Sequence, residues 1–239
     1  MTGAALDAAV WHALKARADA PPACPRDALW LAQAQIGSVE PALAAAMVAA
    51  DLPVARTGAG WRIAAEPDAD AALARIAHWL HCQGLGSAWR DERLAVTDAA
   101  GTPRARIERA AVRPLGIATR AVHLVGLGGE GGVWVQQRAF DKATDPGLWD
   151  TLMGGLQAAG ESDAQTLERE TWEEAGLRVA ELIELRGAGH LIVRRPVADG
   201  YMVEHIEIVV ATVPDNLVPT NRDGEVARFE CLARPALRQ

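Results

Sequence analysis

The chain has few of the features that are typical of membrane, secreted and zinc-finger proteins. It contains only three cysteines, Cys24, Cys82 and Cys231, which form no CxxC or Cys/His metal spacing and cannot all pair with one another. They are expected to be buried free thiols in a reducing, cytoplasmic environment. No apolar stretch approaches the ~20 residues that span a bilayer, and His12, Lys15 and Arg17 interrupt the apolar N-terminus. Neither a membrane span nor a secretion signal is therefore expected.

Basic residues are scarce relative to acidic ones. Lys and Arg together number 24 against 31 Asp and Glu, which gives a formal charge of −7, and no block of the chain is strongly basic. Nucleic acid and anionic membranes are therefore not expected as partners. The remaining composition, 50% apolar and 23% charged in 239 residues, is typical of a globular protein with one large or two small domains.

Periodicity and turn residues place a domain boundary near residue 115. Residues 1–114 are predicted to form a mixed α/β domain of unassigned role, with three helices (an amphipathic one at Leu6–Ala18, then Pro41–Ala50 and Asp68–Gln83), a strand and turn over residues 28–41, and two hairpins. Residues 115–239 are predicted to contain a glycine-rich hairpin at residues 126–132, one acidic helix, strands at residues 182–196 and 200–213, and a loop over residues 214–230. The chemistry is expected in this second region.

The acidic helix has well-defined predicted ends. Ser162 and Gln165 form an S-x-x-Q capping box, which predicts a start at Asp163, and Gly176 predicts the end. At about 100° per residue, one face is predicted to pack on a sheet and the adjoining face to present carboxylates to a cleft. The packing face comprises Ala164, Leu167, Thr171 and Ala175, the carboxylates are Glu170, Glu173 and Glu174, and the peripheral residues are Gln165, Glu168 and Trp172.

Three carboxylates on one helical face repel one another, so a bound cation is expected to offset their repulsion. Carboxylate oxygens at this spacing suit Mg2+ or Mn2+. The alternative is a solvated acidic face with no ligand. The surrounding residues favour the cation.

These residues belong to a longer pattern, G-x5-E-x7-R-E-U-x-E-E-x-G-U, in which U is a bulky apolar residue. Its fixed positions are Gly155, Glu161, Arg169, Glu170, Glu173, Glu174 and Gly176. At average residue usage, seven such matches would arise by chance in about one chain in a million. The pattern is the Nudix box, and the second region resembles a Nudix hydrolase. Thr171 departs from it by placing a hydroxyl at an apolar position.

The resemblance implies an α+β protein in which a Nudix α/β/α sandwich with a mixed sheet follows a smaller mixed α/β domain. It implies metal-dependent hydrolysis of a diphosphate, with Mg2+ or Mn2+ held by Glu170, Glu173, Glu174 and the Gly155 carbonyl. Arg169 would pair with Glu161 and orient the loop and helix. The general base would lie on the helix, at Glu173 or Glu174, or on a later loop, where Glu225 is the candidate.

The segment "WVQQRAFDKATDPGLWDTLMGGL", residues 134–156, resembles the same region in the Nudix branch associated with thiamine diphosphate. The resemblance implies that Arg138 and Lys142 bind the diphosphate and that Asp150 orients the loop or approaches the ligand. Arg138 and Lys142 could instead be ordinary surface cations. His123 is interpreted as a hydrogen-bonded strand histidine, and Trp149 either stacks on an aromatic base or lies in the core.

The leading hypothesis is hydrolysis of thiamine diphosphate or a damaged analogue, a small-molecule substrate. ADP-ribose or a nucleotide sugar is the alternative substrate. A ligand sensor of the same fold would not need three like charges, and a diphosphate isomerase would need a cysteine near the box. A homodimer is left open.

Overall fold

A computed structural model describes residues 8–142 and 144–238. The chain forms two compact units. Both contain helices and strands, which confirms the α+β class. The first unit comprises the chain up to Thr119 together with Ile192–Glu204, and the second comprises Arg120–Leu191 and the chain from His205 onward. The boundary near residue 115 remains a prediction, but residues 192–204 belong with the N-terminal part of the chain. No described helix is long and apolar enough to cross a membrane.

The first unit combines helices with two small sheets. Its helices are α1 (Ala8–Ala18), α2 (Pro41–Ala49) and α3 (Ala69–Cys82), and its strands are β1 (Asp27–Leu31), β2 (Ala34–Val39), β3 (Val54–Thr57), β4 (Gly60–Ile63), β5 (Arg93–Thr97) and β6 (Pro103–Glu108). One sheet has the order β2-β1-β4-β3, and β5 pairs with β6 in the other. Asp68 caps α3 by accepting hydrogen bonds from the amides of Asp70 and Ala71, which fixes the predicted start of that helix.

Three sequence predictions, two for this unit and one for the cysteines of the whole chain, are wrong. Residues 28–41 contain a hairpin rather than one strand and a turn, because Ala32 adopts a positive φ of 52° and reverses the chain between β1 and β2. Helix α1 buries none of its residues, so it does not pack as an amphipathic helix, and Leu6 lies outside the described residues. All three cysteines are exposed rather than buried.

Residues 192–204 are held to the first unit by specific contacts. The amide of Tyr201 donates to the carbonyl of Arg113 at 3.0 Å, and its hydroxyl donates to the carbonyl of Ala20 at 3.0 Å. Arg194 pairs with Asp19 at 3.0 Å, and Arg113 lies 3.4 Å from Asp199. The tip of a long hairpin is therefore part of a unit built mainly from residues far earlier in the chain.

The other elements form a seven-stranded sheet and one long helix. The strands are β7 (Ala118–Leu127), β8 (Gly132–Arg138), β9 (Trp149–Asp150), β10 (Met153–Leu156), β11 (Ile183–Val197), β12 (Gly200–Thr212) and β13 (Val226–Ala233), and the helix is α4 (Asp163–Ala175). The strand order is β11-β12-β7-β8-β13, with β10 on β7 and β9 on β8. The predicted loop over residues 214–230 is wrong beyond Glu225, since Val226 already begins β13 and pairs with Arg138.

Helix α4 has the predicted ends. The Ser162 hydroxyl accepts a hydrogen bond from the Gln165 amide at 3.3 Å, and the Gln165 side chain accepts one from the Ser162 amide at 2.9 Å. Gly176 follows the helix with a φ of 65°, which glycine adopts at little cost. Both signals are local in sequence, and both predictions are confirmed.

The packing face of α4 differs in detail from the prediction. Leu167 and Ala175 are buried and join a core cluster with Val122, Leu124, Leu152, Met153, Leu177, Ala211 and Val213. Ala164, predicted to pack, is exposed. Thr171 is fully buried, and its hydroxyl has no hydrogen-bond partner among the described residues. The hydroxyl at this normally apolar position thus occupies the core without compensation.

Candidate metal and diphosphate site

The three carboxylates of α4 differ greatly in exposure. The Glu173 side chain is 45% exposed and that of Glu170 is 14% exposed, whereas Glu174 is only 2% exposed. The prediction that all three face an open cleft is therefore wrong for Glu174. Its Oε2 atom accepts hydrogen bonds from Gln136 Nε2 at 2.9 Å and from the Gly154 amide at 3.1 Å. Strands β8 and β10 thus hold this carboxylate against the sheet.

Burial changes the acidity of two of these groups. Desolvation raises the pKa of Glu174 to about 7, against the opposing effect of its two hydrogen bonds. Desolvation also raises the pKa of Glu170, although the charge of Arg169 acts in the opposite direction. Near neutral pH the site therefore holds carboxylates whose ionisation is resisted by burial, and a nearby cation would favour their charged forms.

Arg169 connects the loop before α4 with the carboxylates on it. Its Nε and Nη2 atoms donate to the two oxygens of Glu161 at 2.8 and 2.9 Å, which is the predicted pairing. Its Nη1 atom donates to Glu170 at 2.7 Å and to Glu173 at 3.1 Å. The hydrogen bonds from Arg169 are the largest cause that lowers the pKa of Glu161 to about 2. One guanidinium therefore fixes the loop and orients two helix carboxylates.

Gly155 permits a close approach between the sheet and α4. It lies on β10 opposite Val122 of β7, and a Cβ atom at this position would lie 2.0 Å from the Cδ atom of Glu170. The Glu170 carboxylate thus occupies the space that any larger residue at position 155 would fill. The metal-ligand role of the Gly155 carbonyl stays a prediction.

Lys142 and Glu225 meet beside the helix carboxylates. The Lys142 ammonium pairs with the Glu225 carboxylate, and the Ala139 amide donates to the Glu225 carbonyl at 2.9 Å. The charge of Glu225 contributes to the raised pKa of Glu170, and that of Lys142 opposes the raised pKa of Glu174. The structure thus brings the two loop residues within electrostatic reach of α4, although 50 residues separate Glu225 from the end of that helix.

Arg138 and Asp150 lie on neighbouring strands. Arg138 donates to the Thr144 carbonyl at 3.3 and 3.1 Å and lies 3.5 Å from Asp150. The side chains of Arg138 and Lys142 are only 18% and 15% exposed, so their interpretation as ordinary surface cations is wrong. Their binding of a diphosphate stays a prediction. His123 hydrogen-bonds with Thr151 Oγ1 at 3.1 Å, as expected of a satisfied strand histidine.

Two tryptophans of the second unit lie against arginine side chains. Trp149 is 42% exposed and therefore is not a core residue; the guanidinium of Arg228 lies 5.1 Å from its ring centre. Trp172, predicted to be peripheral, has the guanidinium carbons of Arg178 and Arg222 at 3.5 and 3.7 Å from its ring centre. Sequence reasoning missed this stack and the role of Gln136, because both depend on contacts between distant segments.

The donor chemistry of the site fits a divalent metal. Glu170, Glu173 and Glu174 offer hard oxygen atoms, and the buried Oε1 atom of Gln136, next to Glu174, has no hydrogen-bond partner among the described residues. Within residues 8–142 and 144–238, no three acidic, histidine or cysteine side chains are already arranged as a ligand set. Arg169 Nη1 lies between two of these carboxylates and donates to Glu170 and Glu173, so a metal bound by both would have to displace it.

Comparison with known proteins places this site in a family. A family model described as the NUDIX domain matches residues 118–237. An uncharacterized Nudix hydrolase of Pseudomonas aeruginosa is 37% identical over 93 residues, which cover 39% of this chain and 55% of that protein. The chloroplastic Nudix hydrolase 24 of Arabidopsis thaliana is 29% identical over 167 residues, covering 67% of this chain and 45% of that protein. The chain thus matches about half the length of these curated relatives.

Solved structures show the same fold. A crystal structure of a Deinococcus radiodurans protein superposes with a TM-score of 0.51 at 19% sequence identity, covering 61% of this chain and 86% of that one. At this identity the superposition supports the fold alone. The family model, in contrast, matches half of the chain and includes every residue of the candidate site. The chain therefore belongs to the Nudix family.

Proposed function

We propose that the chain is a hydrolase of small-molecule diphosphates that depends on Mg2+ or Mn2+. The observation that carries the proposal is the arrangement around Arg169, which pairs with Glu161 and orients Glu170 and Glu173 beside the buried Glu174. A sensor that only binds its ligand would not need buried carboxylates such as Glu170 and Glu174, whose pKa values are raised by burial. Membership of a family whose curated members are named hydrolases supports the same conclusion.

Glu170, Glu173, Glu174 and the Gly155 carbonyl would hold the metal. A bound divalent metal neutralises the diphosphate and lowers the pKa of water that attacks phosphorus. Glu173 is the most exposed of the three carboxylates, so it can exchange Arg169 for a metal with the least rearrangement. Arg169 would then stay in place through its two hydrogen bonds to Glu161 and orient the helix.

Glu225 is the proposed general base, with Glu173 and Glu174 as the alternatives on the helix. In the described structure its carboxylate is paired with Lys142. A substrate diphosphate would attract the Lys142 ammonium and the Arg138 guanidinium, which releases Glu225 to accept a proton from water. Asp150, 3.5 Å from Arg138, would keep that guanidinium oriented.

Thiamine diphosphate, or a damaged analogue, is the leading substrate. The support is the sequence likeness of residues 134–156 to the thiamine-associated branch. The match to Nudix hydrolase 24 covers 67% of the chain, so it extends beyond residues 118–237. ADP-ribose or a nucleotide sugar is the competing substrate, since the groups that would bind the diphosphate do not distinguish one diphosphate from another.

A panel of diphosphates tests the proposal. Thiamine diphosphate, ADP-ribose and a nucleotide sugar are each incubated with the full chain and Mg2+ or Mn2+, and products are separated and quantified. Metal-dependent hydrolysis of any of them supports the proposed activity, and the highest kcat/KM identifies the preferred substrate. Binding of these compounds without turnover would favour the sensor, and a preference for ADP-ribose by tenfold or more would reject the thiamine assignment.

A further inference from the structure

The loop between β12 and β13, residues 213–225, carries Glu225 and is attached to the end of α4. The Thr220 amide donates to the Ala175 carbonyl at 2.8 Å, and the Arg222 amide donates to the Glu173 carbonyl at 3.2 Å. These two carbonyls lie in the last turn of the helix, where no further helical amide is available to them. The loop therefore satisfies the C-terminus of the helix that carries the candidate metal carboxylates.

Side-chain packing reinforces the same attachment. The Arg222 guanidinium stacks on the indole of Trp172, with its carbon 3.7 Å from the ring centre. Gly176 allows the loop to come this close, because a Cβ atom there would lie 2.7 Å from the Thr220 carbonyl oxygen and 3.1 Å from Arg222 Nε. Arg178 stacks on the same indole at 3.5 Å, but it belongs to the chain that leaves the helix and not to the loop.

A short, tightly bonded turn connects Arg222 with Glu225. Asn221 accepts a hydrogen bond from the Gly224 amide at 3.0 Å and donates to the Val226 carbonyl at 2.6 Å. Asp223 accepts one from the Glu225 amide at 2.8 Å. These bonds make the turn a compact unit. A movement of Arg222 relative to α4 should therefore also move the Glu225 carboxylate.

We propose that Trp172 and Arg222 are positioning residues that set the place of Glu225 relative to the carboxylates of α4. Trp172 directly precedes Glu173 in the helix, so the same helical turn presents a carboxylate to the site and an aromatic surface to the loop. The stack of Arg222 on Trp172 thus adds a side-chain contact to the two backbone hydrogen bonds that hold the loop at a set distance from the carboxylates of α4. The proposal rests on the proposed hydrolase function and on Glu225 acting in it.

Kinetic measurements on the full chain test the proposal with a matched control. Arg222→Ala and Trp172→Ala are expected to lower kcat for the best substrate of the diphosphate panel by tenfold or more, with KM changed less than threefold, since a displaced base impairs chemistry more than binding. Arg178→Ala removes a stacked guanidinium from the same indole without touching the loop, and it should change kcat less than twofold. Trp172→Phe, which retains an aromatic face, should recover most of the rate.

A double-variant comparison separates positioning from general destabilisation. If Arg222 acts through Glu225, then Arg222→Ala should lower kcat tenfold in the otherwise unmodified protein. The same substitution should lower kcat less than twofold when it is added to Glu225→Gln. An equal loss in both backgrounds would overturn the proposal. So would a loss for Arg178→Ala as large as that for Arg222→Ala, because the stack would then serve stability alone.

Amide hydrogen exchange supplies a result that needs no activity. Exchange in the peptide that covers residues 218–226 should accelerate at least tenfold in Arg222→Ala and Trp172→Ala, but not in Arg178→Ala or Glu225→Gln. If the unmodified protein hydrolyses none of the diphosphates, the proposed function fails, while accelerated exchange still assigns the loop anchor to Trp172 and Arg222. Unchanged exchange in both variants would overturn the anchor itself.

Discussion

At the scale of single residues, the candidate site contains carboxylates in very different states. Glu161 accepts hydrogen bonds from Arg169, Thr166 and the Ala158 amide, and its pKa falls to about 2, whereas burial raises the pKa of Glu174 to about 7. Glu173 is the most exposed of the three candidate metal carboxylates, Glu170, Glu173 and Glu174. Substitution of each residue should therefore have a different mixture of effects on stability and on turnover.

Replacement of Glu173 should affect turnover rather than folding. Glu173→Gln removes a negative charge from the site without removing a core contact, and we expect kcat to fall by at least ~100-fold while the melting temperature changes little. Glu168→Gln is the matched control, because Glu168 lies on the same helix and is exposed away from the site. Steady-state kinetics at saturating Mg2+ make the comparison. Near-normal turnover in Glu173→Gln would contradict the catalytic assignment.

Replacement of Glu174 should stabilise the metal-free protein at high pH. The folded-state pKa of about 7 lies above the usual 4.5, so the protonated form is favoured on folding. The contribution of this protonation to the free energy of unfolding is fully present below pH 4.5 and is lost as the pH rises through 7. Glu174→Gln mimics the neutral form, and it should raise the free energy of unfolding by up to roughly 3 kcal/mol at pH 8.5.

Urea unfolding in EDTA between pH 5 and 8.5 measures this effect. The advantage of Glu174→Gln over the unmodified protein should shrink steadily as the pH falls towards 5. An advantage that is independent of pH would show that the buried carboxylate is not its source. Turnover of the same variant should nevertheless fall, since a metal ligand is lost.

At the scale of secondary-structure elements, features that depend on neighbouring residues could be predicted from the sequence, whereas features that depend on long-range contacts could not. The ends of α4 followed from Ser162, Gln165 and Gly176, which act on backbone groups within a few residues. The burial of Glu174 could not be predicted in the same way, because it depends on Gln136 and Gly154 from two strands. The hairpin at residues 28–41 was missed since Ala32 gives no sign in sequence that it adopts a positive φ.

The contact between β10 and α4 gives a prediction at this scale. A Cβ atom at position 155 would lie 2.0 Å from Cδ of Glu170, which is the movable end of a side chain rather than backbone. Gly155→Ala should therefore displace the Glu170 carboxylate and leave the fold in place. We expect at least a tenfold loss of kcat/KM and weaker Mg2+ dependence, with a small change in melting temperature.

Gly58→Ala is the control for this substitution, because no atom lies within 4 Å of a Cβ atom built at that position. Kinetics over a Mg2+ titration and thermal unfolding without metal compare the two variants. If Gly155→Ala unfolds the protein before it changes the metal dependence, the close approach serves packing and the displacement of Glu170 is rejected.

At the scale of the whole molecule, metal binding should stabilise the native state. Only the folded chain brings Glu170, Glu173 and Glu174 together, so a metal that binds this set raises the free energy of unfolding. The gain is about 2.7 kcal/mol at a metal concentration 100 times Kd. Thermal unfolding should therefore shift upward with millimolar Mg2+ or Mn2+, and Glu173→Gln should reduce the shift. KCl at matched ionic strength controls for screening, and an equal shift with KCl would argue against a specific site.

The tip of the long hairpin formed by β11 and β12 belongs to the first unit. This tip comprises residues 192–204, and its Tyr201 and Arg194 bond to residues that lie before the Nudix match. All candidate site residues, in contrast, belong to the second unit. A chain that starts at Arg120 should consequently retain metal-dependent hydrolysis, but its hairpin tip would lose Ala20 and Arg113, whose carbonyls accept the hydrogen bonds of Tyr201.

We expect this truncated chain to melt several degrees below a second version in which residues 192–204 are replaced by a short glycine-containing turn. The replacement removes the unsupported tip, and about 1 kcal/mol corresponds to about 4 °C in a domain of this size. Thermal unfolding of both truncated chains, with kcat/KM for the best diphosphate measured on each, tests the expectation. Equal melting temperatures would mean that the tip is stable without residues 1–119. Loss of hydrolysis in two well-folded truncated chains would instead show that the second unit alone is not sufficient for activity.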